Sequence, residues 1–181
     1  MSESPELRRA IEAVGKEYIE NQKCKADTAD IQRKYEAVAD TVNKLFNQIQ
    51  VPVIFQEKDP YSDYEDMATT VAKEQKLRVY SGHAGHPVMS DRENLKFRAV
   101  HDWFGHLRYD VNFTTEGEFM KWFNMCDTFP IWTHNVLFAE VVGQLGAIKY
   151  LPDSFEDPRY EQKATELPPR HIHNMANILL D

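Results

Sequence analysis

The chain has 181 residues, 42% hydrophobic and 28% charged, which suits one globular domain with the volume for a core. Its net charge of −8 excludes a general nucleic-acid binder, which needs a basic surface, and no run reaches the ~18 apolar residues of a membrane span. Met1-Ser2-Glu3-Ser4-Pro5-Glu6 lacks the basic and apolar regions of a signal peptide, and Cys24 and Cys126 form no CxxC pair, so the expectation is a cytoplasmic chain with two free thiols, a disulfide between them being the alternative.

Ser4-Pro5 reads as an N-cap followed by proline at the first helical position, opening a helix to about residue 22. A second helix starts at Asp27 or Thr28. Its apolar residues Ile31, Tyr35, Val38, Val42, Leu45 and Ile49 advance in alternating steps of four and three, the seam of a helix packed lengthwise on another. The expectation is an antiparallel N-terminal helical hairpin over residues 1–50. Its seam is read as internal packing, with a homo-oligomer through these helices as the alternative.

Val51-Pro52-Val53-Ile54-Phe55 and Leu77-Arg78-Val79-Tyr80 read as short strands flanking a helix at about 62–75. Ser81 to Pro87 is a loop by composition, and Ser90-Asp91 caps the next helix, carrying Leu95, Phe97, Val100, Phe104 and Leu107. Helices follow at 115–127 and at 131–151 after Pro130, and a last one after Pro168-Pro169. The fold class expected is mainly α with a minor two-stranded β element, in a single domain over 1–181 whose residues 51–181 form the metal-binding core.

His101-Asp102-Trp103-Phe104-Gly105-His106 carries the chemistry. On a straight helix its two imidazoles lie about 140° apart. They reach one metal only if the helix bends or ends between them, and Gly105 permits that departure. Glu140, within Leu137-Phe138-Ala139-Glu140-Val141-Val142-Gly143, is a carboxylate on an apolar stretch, costly to bury without a cation. Two neutral nitrogens and one carboxylate with open positions make the facial triad of non-heme Fe(II) oxygenases. Taken singly, each histidine is more often a hydrogen-bonded core residue, and Glu140 would pair with Arg98 or Arg108.

The motif closely resembles the HDxxGH segment of the aromatic amino acid hydroxylases, the pterin-dependent non-heme iron family. The segment Phe138-Ala139-Glu140-Val141-Val142-Gly143 resembles that family's downstream glutamate element, with Glu140 lying 34 residues beyond His106. The resemblance spans roughly residues 98–146 and implies that His101, His106 and Glu140 ligate Fe(II). Leu107-Arg108 replaces the proline that commonly follows the motif, and Asn94 to Arg98 replaces the usual lead-in. The pterin and the aromatic amino-acid substrate are therefore not carried over. The chain also resembles uncharacterised proteins encoded by tailed bacteriophages, which implies a host-cytoplasm or virion location.

Asp102 is expected to orient a ligand histidine. Gln144 and His134 are expected to contact substrate or bound water. Glu118 is read as a base or, with Gln144 and His134, as part of a second metal site. His83 and His86 are spaced for a second metal or for proton transfer, and His171 and His173 are placed on the surface. The activity expected is Fe(II)-dependent oxygenation of a small substrate by dioxygen. Zn²⁺ on the same ligands, activating water for hydrolysis, is one alternative. A non-catalytic virion or accessory protein with a structural metal is another.

Overall fold

A computed structural model describes residues 3–20 and 28–180. The elements are α1 (Pro5–Glu20), α2 (Ala29–Phe46), β1 (Val53–Gln56), α3 (Tyr64–Glu74), β2 (Leu77–Tyr80), α4 (Asp91–Val100), α5 (Thr115–Met125), α6 (His134–Phe138), α7 (Gln144–Tyr150) and α8 (Pro169–Leu180). The molecule is mainly α with one two-stranded sheet, as the periodicity predicts. No helix among the described residues is long and apolar enough to cross a membrane.

Side-chain caps fix several helix starts. Thr28 caps α2 and Asp63 caps α3, while Ser90 and Glu93 form a reciprocal capping box at α4. Two free thiols are expected; Cys24 lies outside the described residues, and the Cys126 thiol is free, with burial pushing it up to about 12.

Both N-terminal helices form, but their main partners differ from the expected hairpin. α1 lies along α7 and also packs on α8, whereas α2 lies on α4. The reason is steric. A Cβ on Gly15 would lie 1.9 Å from the carbonyl oxygen of Gly146, so only glycine lets α1 and α7 approach this closely. The α2 seam from Ile31 to Leu45 is buried inside the chain, as internal packing requires.

The strands pair in parallel, with Val53 opposite Leu77 and Gln56 opposite Tyr80, and α3 crosses over between them. Tyr64, Met67, Val71, Leu77 and Val79 join Ala99 of α4 in a second core. Phe97 and Val100 belong to the main core. Helix α4 is therefore clamped on two sides, which steadies the segment that follows it. The stretch before α8 has no regular backbone partners, yet two buried tyrosines satisfy it: the Lys163 N–H donates to the Tyr18 hydroxyl at 2.9 Å, and that of Thr165 to Tyr35 at 3.2 Å.

Candidate metal centre

The residues His101–Leu107 continue α4 as a π-helical turn. Its wide rings are visible where Arg108 N–H donates to Trp103 O at 3.0 Å and Val111 N–H to His106 O at 3.1 Å, each five residues back. A turn that closes between residues i and i+5 stacks His106 on His101. Their Nε2 atoms consequently lie 3.1 Å apart, removing the 140° separation of an ordinary helix. Gly105 serves a purpose beyond permitting the turn, because the side chain of Lys121 passes directly over it. An added Cβ would lie 2.3 Å from Lys121 Cγ and 2.6 Å from Cδ.

A second π turn, Ala139–Gly143, joins α6 to α7 and carries Glu140. Helix α5 packs against both π turns and supplies Glu118 and Lys121. Asp102 joins His101 and His106 in the group of metal-type side chains that converges among the described residues, with ligand atoms within 4.8 Å of one another.

Proton positions follow from the hydrogen bonds. His106 is fully buried, and its Nδ1 donates to the Val111 carbonyl at 2.8 Å, so the neutral ring presents a lone pair at Nε2. That lone pair faces Glu118 Oε1 at 3.2 Å as well as His101. Lys121 donates to His101 Nε2 and to Glu118 Oε2. Thus His106 Nε2 has two further ligand-type atoms beside it, a His101 nitrogen at 3.1 Å and a Glu118 oxygen at 3.2 Å, and the Lys121 ammonium bridges these two side chains. Backbone anchoring of the far nitrogen is also what orients metal-binding imidazoles.

Burial, helped by the nearby Lys121 ammonium, holds both imidazoles below the ordinary histidine range, His101 strongly so. Burial works to raise the Glu118 carboxyl, but the Lys121 ammonium beside it overcomes that, and Glu118 stays ionised well below the usual range. Burial lowers Lys121, and Glu118 opposes it. Asp102 is pushed up to about 7 by burial, against the pull of Lys121. Its Oδ1 lies 3.8 Å from His101 Nε2, beyond hydrogen-bond reach, so it does not orient that ring as the sequence suggested.

Glu140 stands apart from this convergence. Its Oε1 accepts from Tyr35 at 2.6 Å and from His86 at 3.2 Å, and its Oε2 accepts from Gln144 at 2.6 Å. The tautomer of His86 is fixed as well: its Nδ1 accepts backbone N–H groups from Val88 and Met89, leaving Nε2–H to donate. The carboxylate that meets His106 is Glu118. Arg98 does not pair with Glu140 either; it donates to the carbonyls of Tyr80, Gly82 and His83.

His101, Glu118, Glu140 and Gln144 line one cavity of about 740 Å³, with Phe97, Val141 and Leu145 among its apolar walls. His83 is exposed at the same cavity and His86 is tied to Glu140, so the pair does not act together. His134 is not among the cavity's lining residues; its Nε2 donates to Phe129 O at 3.0 Å, which makes it a staple of the turn before α6. His173 is exposed as expected, but His171 is buried against Glu17 because its face of α8 packs on α1. Sequence reasoning missed Lys121 and the Tyr35–His86 support of Glu140. The one local signal was the Glu118–Lys121 spacing of three, which usually marks an exposed pair.

No protein-family model, curated protein or solved structure matches the chain.

Proposed function

We propose that the chain is a mononuclear non-heme metal enzyme of the Fe(II)-dependent oxygenase type, with His101, His106 and Glu118 holding one ion beside the cavity. The observation that carries the reading is the tautomer-fixed lone pair on His106 Nε2, with His101 Nε2 at 3.1 Å and Glu118 Oε1 at 3.2 Å from it. The spacing supports it too. Two nitrogens each about 2.0–2.1 Å from one ion and 3.1 Å from each other subtend roughly 100° there, a normal angle between neighbouring ligands. Two imidazoles and a carboxylate leave positions open on the remaining side.

Fe(II) in that position would supply dioxygen binding and activation. The chain's own residues do the rest. His101 and His106 remain neutral because desolvation and the nearby Lys121 ammonium disfavour their protonation, and Glu118 contributes one negative charge. Phe97, Val141, Leu145 and Ile148 offer a small substrate an apolar stretch of cavity wall. Gln144, held by Glu140, presents a fixed amide on the wall. In this reading Glu118 takes the place that the hydroxylase resemblance gives to Glu140, and neither a pterin nor an aromatic amino acid is required.

Anaerobic loading with Fe(II), Co(II) or Zn(II), followed by metal analysis and oxygen-uptake measurements, tests the reading. One equivalent per chain is expected, abolished in His106→Gln and weakened at least tenfold in Glu118→Gln, with little change in Glu140→Gln. Oxygen uptake should require reduced iron. Tight zinc with no oxygen chemistry would favour hydrolysis instead, and failure of all three ions to bind would overturn the centre itself.

A further inference from the structure

Lys121 is the group for which the proposed centre has no use. It is fully buried, which is rare for lysine. Its aliphatic stem lies over Gly105, and its ammonium donates to His101 Nε2 and to Glu118 Oε2. These are the two side chains that flank His106 at the acceptor cluster. Resting on the reading of His101, His106 and Glu118 as ligands, we propose that Lys121 is an internal competitor for the metal, whose ammonium holds His101 and Glu118 in ligand geometry and releases His101 when an ion binds.

The geometry makes the exchange small. Glu118 divides its two oxygens: Oε1 faces His106, and Oε2 takes Lys121. An ion can use Oε1 while Lys121 keeps Oε2, so what must break is the lysine's contact with the His101 ring, at Nε2 and at Nδ1 (3.3 Å). A nitrogen lone pair cannot serve an ammonium and a metal together. The two cations also repel across a site where water screens little. Without an ion, the lysine compensates the buried carboxylate, whose partner is costly to remove. Lys121 is thus a positioning residue that preserves the arrangement and lowers metal affinity.

Titration with Co(II) alone, followed by calorimetry and visible absorption, tests this in the wild type, Lys121→Met and Lys121→Gln. Methionine keeps an unbranched stem over Gly105, and glutamine keeps a polar end without charge. Both variants are expected to bind Co(II) at least tenfold more tightly than the wild type, and metal should raise their melting temperature more than it raises the wild type's. A lysine remote from the bound ion would leave Co(II) affinity unchanged on removal. Equal or weaker binding by folded variants would overturn the competition while leaving the centre intact. Absence of binding in all three chains would overturn the centre. The wild type offers an independent readout: bound Zn(II) should shift the ¹⁵Nζ resonance of Lys121, and an unmoved resonance at full zinc occupancy would refute the proposal.

Discussion

Gly105 lies directly beneath the stem of Lys121, so close that a single methyl on the glycine would fall 2.3 Å from Lys121 Cγ. Gly105→Ala should therefore push the lysine off His101 and Glu118 and cost about 1–3 kcal/mol, the usual cost of overpacking a core. In Lys121→Ala the obstructing atoms are gone. A double-mutant cycle on Gly105→Ala and Lys121→Ala, read by urea denaturation, should show a coupling above about 1 kcal/mol. Additive effects would mean that the glycine is needed for the turn alone.

Tyr35→Phe should destabilise the fold by about 1–3 kcal/mol. The hydroxyl donates to the buried Glu140 carboxylate and accepts from Thr165 N–H, so its loss leaves two buried groups short of a partner. Thermal denaturation checks this, and a change within a few tenths of a kcal/mol would contradict it.

Stability should fall as the pH drops from 7 towards 5. His101 and His106 have folded values depressed by burial, so below about 6.5 the unfolded chain takes up protons that the folded chain refuses. The stability from keeping both rings neutral is complete above that pH and declines below it. His171, lowered by burial, acts in the same direction. Asp102 opposes them: raised to about 7, it keeps its proton in the fold where the unfolded carboxyl has lost its own. Each imidazole contributes at most roughly 1.4 kcal/mol per pH unit, and the histidines outnumber the carboxyl. Urea midpoints at pH 7 and pH 5 should differ accordingly, with a flatter dependence in the His101→Gln/His106→Gln variant.

Gly15→Ala should be among the most damaging single methyl additions. Its Cβ would meet the backbone of Gly146 at 1.9 Å for the oxygen and 2.2 Å for the carbon, and backbone cannot rotate away. The α1–α7 pair must separate, at a cost of about 3 kcal/mol or more, at the upper end of overpacking penalties. A melting temperature within a degree of the wild type would show that the helices can slide instead.

Much of the helical framework is legible because its signals are local. Ser90 with Glu93 announces α4, and steps of four and three from Ile31 to Leu45 announce the buried face of α2. The parallel register of β1 and β2 is not legible, since four-residue strands joined by a helix carry no turn signal that sets their direction. His101 and His106 can be read as a candidate pair, with Gly105 marking where the helix departs from α geometry. The partners of Glu140 cannot be read in this way, because Tyr35 and His86 stand 105 and 54 residues away. Lys121 escapes for another reason: an acid and a base three residues apart on a helix ordinarily face water, and only the folded chain shows that this pair faces inward.

A π turn is what an α-helix becomes when it absorbs one extra residue. The His101–Leu107 segment can accordingly be viewed as an ordinary helix carrying a single-residue insertion. Deleting one residue between the histidines would leave them four apart, a spacing at which an unmodified helix already puts two imidazoles on one face. The pair would survive, but everything beyond it would rotate by about 100° relative to α4. Val111, whose carbonyl fixes the tautomer of His106, would be carried away with it. The extra residue therefore matters less for bringing the rings together than for keeping them in phase with what holds them.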